Sequence, residues 1–193
     1  MKNLVKLFQK NSGFLRAKEI GNRTQWRELH KMLTDNSVYR IKRGLYRLNE
    51  FKHDTSFVEA SHVVPTGVLC MFSAWYYYDL TTTIPHENHL AVKQNKKVKF
   101  SGSTPIKLYY LSEQFYHLGI SQICVDNHSV KIYDMEKSVC DAVRFRNKVG
   151  MDIAIEVVKN YVRRKDRDLN KLAQYAEPLR ILKIMQNMIM PIL

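Results

Sequence analysis

The chain has 193 residues, a formal net charge of +13 and 45% apolar residues. That length suits one ordinary domain or two small ones. The apolar share supports a buried core and excludes a disordered chain, and no run of about 18 apolar residues is present to span a bilayer.

Three cysteines, Cys70, Cys124 and Cys140, stand far apart with no CxxC. They argue against a disulfide framework and a cysteine-rich zinc site, and for a reducing cytoplasm. The first eight residues hold neither a long apolar run nor a small-residue cleavage site, so no secretory signal is expected. The charge is concentrated. Residues 1–52 contain 13 Lys and Arg against 4 Asp and Glu, a net of +9, and residues 53–193 contain 18 against 14, a net of +4. A concentrated excess reads as a footprint for a polyanion. Its cations lie across several short elements and not along one amphipathic helix, which favours nucleic acid over a membrane surface.

In chain order, Leu4, Leu7 and Phe8 share one face of a short helix that Asn11-Ser12-Gly13 stops. A second short helix is predicted from Arg16 to Ile20, closed by Gly21 in a left-handed cap. Asn22 is the expected N-cap of a third helix reaching about Asn36, with Gln25 as its capping-box partner. Trp26, Leu29, Met32 and Leu33 form the inner face, and Thr24, Arg27, Glu28 and Lys31 the outer one. Two short strands follow within Val38–Leu48, joined at Lys42-Arg43-Gly44, where Gly44 supplies the positive φ of a tight turn.

Three helices and a basic hairpin predict a winged helix-turn-helix over residues 1–52. A helix with a polar, basic outer face suits the major groove, and a basic hairpin tip suits phosphates or the minor groove. Base contacts fall to Thr24, Arg27 and Lys31. Phosphate contacts fall to Arg16, Lys18, Lys42, Arg43 and Arg47, with Arg40 in the same hairpin. A solvated basic face and a protein-binding winged helix stay open as alternatives.

Residues 53–193 predict an α+β domain ending in a helical bundle. Glu50–Ser56 reads as a linker and Ser56–Val64 as a short helix ended by Pro65. Val68–Tyr78 reads as one buried helix. Strands are expected at His89–Lys93, Lys97–Phe100, Ile106–Leu111, Gln122–Val125 and Ser129–Tyr133, the last two forming a hairpin around Asp126-Asn127. Helices follow over Asp134–Arg146, around Ile153–Tyr161, around Leu169–Ala176, and from Pro178 onward.

No strong catalytic pattern is visible: there is no phosphate-binding loop, HExxH or GxSxG. His86 and His89 lack a nearby third ligand, so no metal is expected. Cys140 and Asp141 read as core and surface, and Gly102-Ser103 lacks the downstream paired carboxylates of a nucleotidyltransferase. No cofactor is expected and the chain reads as non-enzymatic.

Four segments carry a resemblance. They are Gly13–Ile20, the wing Ile41-Lys42-Arg43-Gly44-Leu45-Tyr46, the segment Cys70–Thr81, and Val130–Asp141 with its Glu136-Lys137-Ser138-Val139-Cys140-Asp141 helix start. In order and spacing the chain resembles the AbiEi-type antitoxins of type IV toxin–antitoxin (abortive infection) systems. It departs at Leu45, where the family has valine, at Tyr78-Asp79, where it has His-Gly, and at Lys137-Ser138-Val139, where it has Arg-Thr-Leu. The resemblance implies a repressor that binds promoter inverted repeats in double-stranded DNA and counters a nucleotidyltransferase-like toxin, with direct toxin binding left open. Two other readings remain: a nucleic-acid-modifying enzyme targeted by a winged helix, and a protein-interaction adaptor.

Overall fold

The computed structural model describes residues 2–50, 56–98 and 104–192. The fold is mixed α+β. The chain divides into two compact units. The first comprises Met1–Pro65, Val98–Pro105 and Cys124–Ser129, and the second Thr66–Lys97, Ile106–Ile123 and Val130–Leu193. Residues 51–55 of the expected linker Glu50–Ser56, the Gly102-Ser103 pair and the Lys99-Phe100 end of one expected strand lie outside the described residues. Lys97 and Val98, its beginning, are irregular.

The first unit opens with α1 (Lys2–Lys10), followed by β1 (Phe14–Arg16), a 3-10 turn (Ala17–Glu19), α2 (Arg23–Thr34), β2 (Val38–Lys42), β3 (Leu45–Leu48) and α3 (Phe57–Val63). The strands form one antiparallel sheet in the order β1-β3-β2. Leu4, Phe8, Leu15, Leu29, Met32, Val38, Tyr46 and Leu48 make its core, with Trp26 and Leu33 packed against them.

Two expectations are corrected here. Phe14-Leu15-Arg16 is a strand and not a helix entry, because β3 pairs with it in the register Phe14↔Arg47 and Leu15↔Tyr46. The 3-10 turn ends at Ile20 in extended backbone, so Gly21 supplies no left-handed cap. The positive φ at Gly44 is present as expected.

The second unit is built on a five-stranded mixed sheet, β6-β5-β4-β8-β7. Its strands are β4 (Val68–Leu69), β5 (Asn88–Lys93), β6 (Ile106–Leu111), β7 (Ile120–Val125) and β8 (His128–Tyr133), of which the hairpin end, Cys124–Ser129, falls in the first unit. Its helices are α4 (Met71–Tyr77), α5 (Glu113–His117), α6 (Met135–Arg144), α7 (Arg146–Val149), α8 (Met151–Val162), α9 (Leu169–Ala176) and α10 (Leu182–Ile189). Val68 and Leu69 leave the expected helix because they pair with Ala91 and Leu90 on one side and, through Leu69, with Ile132 on the other. Cys70 then caps α4. The last helix starts at Leu182 and not at Pro178. Trp75, Tyr133, Val139, Cys140, Val158, Tyr161, Leu172 and Met185 belong to one buried core, and Trp75 Nε1 donates to Ser138 O at 2.8 Å. Among the described residues no helix is long and apolar enough to cross a membrane.

Candidate nucleic-acid interface

α2 forms where its apolar stripe and its cap agree. Asn22 Oδ1 accepts from the Gln25 N–H at 2.9 Å, and Gln25 Oε1 accepts from the Gly21 N–H at 2.8 Å. One donor that the first turn leaves without a helical partner, the Gln25 N–H, is thereby satisfied; Gln25 itself reaches the residue before the cap and not the Asn22 N–H, so the expected capping box is not closed. Leu29 and Met32 are buried. Thr24, Arg27 and Lys31 are exposed on the wet face, as the periodicity requires. Arg23 and His30 are exposed too, and sequence reasoning passed over both. Arg23 stands one turn before Arg27, so the same spacing would have found it.

The second cationic group is assembled by the sheet. The Ala17 N–H donates to Gly44 O at 2.9 Å, and Arg16 stands opposite Leu45. The hairpin turn is thus laced to the 3-10 turn, and Arg16 lies close enough to Lys42 for their charges to interact. Lys18, Arg40 and Arg43 are exposed, and Arg16 is half-buried.

Lys42 and Arg47 are held differently. Lys42 Nζ donates to Val63 O at 2.6 Å. Burial and the neighbouring Arg16 charge push its pKa below the usual lysine value. Arg47 donates through Nη1 to Glu59 on α3, whose other carboxylate oxygen accepts from Thr104 Oγ1 at 3.0 Å. Both members of the Arg47–Glu59 pair are largely covered, at 20% and 15% side-chain exposure.

Most of the acidic residues of this segment lie apart from these groups. Of the four carboxylates in residues 1–52, three (Glu28, Asp35 and Glu50) line a cavity of about 380 Å³ floored by Val5, Met32 and Leu48. The fourth, Glu19, accepts from the Arg16 N–H at 2.6 Å and from Asn11 Nδ2 at 3.4 Å.

In the second unit the chemistry-bearing side chains are tied to one another. Asp134 caps α6, accepting from the Lys137 N–H at 2.9 Å. Lys171 Nζ lies 3.0 Å from Asp134 Oδ2 and 3.1 Å from Glu136 Oε2. Asp141 is buried and not on the surface, because Lys137 reaches it from one turn earlier. His89 is buried on β5 and shares its Nδ1 with the Tyr109 hydroxyl at 2.9 Å. Burial raises the pKa of the Cys70 thiol well above its ordinary value, so it is no ready nucleophile. Among the described residues no group of three His, Cys, Asp or Glu is placed to hold a metal.

Set against known protein families and curated proteins, the chain matches no family model and no curated sequence.

Proposed function

We propose that the protein is a DNA-binding transcriptional regulator, and that its first unit is a winged helix-turn-helix. The observation that carries this reading is the exposure of Thr24, Arg27 and Lys31 on α2, in a unit whose hairpin exposes Arg40 on β2 and Arg43 in the turn. The element order helix–strand–3-10 turn–helix–hairpin, with the sheet order β1-β3-β2, supports it. In this reading α2 enters the major groove, where Arg27 and Lys31 meet guanine edges and Thr24 an adjacent base. Lys18, Arg40 and Arg43 meet phosphates.

The resemblance to AbiEi-type antitoxins extends the proposal. The regulator would repress its own operon at inverted repeats, and the second unit would counter a nucleotidyltransferase-like toxin without catalysis of its own. Three free cysteines, two of them buried, suit work in a reducing cytoplasm. The test has two parts: binding of the full chain to DNA upstream of its gene in a salt titration, and rescue of growth when it is co-expressed with the product of the adjoining gene. Salt-dependent, sequence-selective binding together with rescue is expected. Sequence-indifferent binding overturns the regulator, and growth arrest unrelieved by the chain overturns the antitoxin.

A further inference from the structure

Phe14, Arg47 and Tyr39 stand opposite one another in the register of the β1-β3-β2 sheet and share one of its faces. Leu15, Tyr46, Leu48 and Val38, on the other face, belong to the core with α1 and α2. The face that holds Phe14 and Arg47 meets α3. His62 stacks on Phe14 with ring centroids 4.2 Å apart, Val63 O takes Lys42, and Glu59 takes Arg47. Four cations of the hairpin, Arg40, Lys42, Arg43 and Arg47, look alike in sequence. The fold divides them: Arg40, opposite Tyr46 on the other face, and Arg43, in the turn, stay exposed, while under α3 Arg47 is paired with a carboxylate that Thr104 also fixes.

We propose that Glu59 is a charge mask that withholds Arg47 from the DNA backbone and so limits binding to arbitrary sequence. The inference rests on the DNA-binding reading above. Phosphate contacts add affinity for every sequence alike and discriminate between none. A hairpin with one cation neutralised gives up non-specific affinity and leaves the α2 contacts a larger share of the total. The mask costs little, because the carboxylate also anchors α3 to β3. Lys42 differs in kind: a carbonyl oxygen orients its ammonium without cancelling the charge.

The experiment is a salt titration of the full chain on a short fluorescent duplex of arbitrary sequence, for wild type, Glu59→Gln, and Arg47→Met combined with Glu59→Leu. With the mask, Glu59→Gln frees Arg47, steepens the slope of log K against log salt by about 0.9, the value of one phosphate contact, and raises low-salt affinity several-fold. The paired apolar replacement, which removes both charges together and is of a kind proteins tolerate, leaves the wild-type slope unchanged. If Arg47 already touches a phosphate, the paired replacement flattens the slope by about 0.9 and Glu59→Gln does not steepen it; that result overturns the mask. Should the paired variant not fold, as judged by its thermal transition, the Glu59→Gln slope decides alone. A wild-type chain with no salt-dependent duplex binding overturns the DNA-binding reading itself, a result separate from either slope change.

Discussion

Lys137 Nζ lies 2.6 Å from Asp141 Oδ1, one turn along α6, and both side chains are shut away from water. The ammonium also stands 4.3 Å from the centroid of the Tyr133 ring. A buried pair of this kind is poor evidence of net stabilisation, but breaking it strands a charge. Asp141→Asn is expected to cost about 3–5 kcal/mol in urea denaturation. Lys137→Met combined with Asp141→Leu removes both charges and is expected near wild-type stability. Equal losses from the single and the paired replacement would contradict this.

Gly119 is where the backbone leaves room for that lysine. Its φ is +71°, and an added Cβ would lie 2.6 Å from Lys137 Cβ. Gly119→Ala therefore meets backbone strain and a collision near the start of a helix. A loss of about 1–3 kcal/mol is expected from the thermal transition.

His89 gives stability a pH dependence. Burial lowers its pKa from the ordinary 6.5 to about 4, against a smaller opposing effect of Glu87. The folded state therefore prefers neutral imidazole, while the unfolded chain takes up a proton as pH falls through 6.5. Stability is full above 6.5, declines between 6.5 and about 4, and levels off below. The decline attributable to His89 is on the order of 3 kcal/mol. Denaturation of wild type and His89→Asn between pH 7 and 4.5 checks this: the gap between them should shift with pH in that window. A gap constant with pH would rule the histidine out.

Asn22 ties local structure to the proposed interface. Asn22→Ala removes the acceptor of the Gln25 N–H and is expected to cost about 1 kcal/mol. The first turn of α2, which carries Arg23 and Thr24, would fray, so operator affinity should fall more than stability alone accounts for. Asn22→Ser should restore both, because it is an adequate neutral cap, whereas Asn22→Asp should restore stability but not affinity, because its charge repels phosphates.

These residues also mark what the sequence made legible. α2 was readable because two independent signals coincide: the Leu29 and Met32 stripe and the Asn22 cap. Phe14–Arg16 and Val68–Leu69 were not, because strands this short take their identity from pairing with Arg47 or Ala91, far along the chain. Asp141 looked like surface because carboxylates usually are. The Lys137 spacing inside an apolar stripe was the signal that it is not. In the candidate interface, alternation and charge located the hairpin cations but ranked them equally. Glu59 and Val63, which separate Arg47 and Lys42 from Arg40 and Arg43, lie on a helix no local pattern connects to the hairpin.

The central claim, duplex recognition through α2 and the hairpin turn, meets its most direct test in fluorescence anisotropy of the full chain on its own upstream DNA. Wild type, Arg27→Ala and Arg43→Glu would be compared over a range of salt. Arg27→Ala is expected to lose about 1–3 kcal/mol and to relax preference at one position per half-site. Arg43→Glu is expected to weaken binding to every sequence and to flatten the salt slope by at least about one phosphate contact, ~0.9. Wild-type affinity and slope in both variants would contradict this mode of DNA binding.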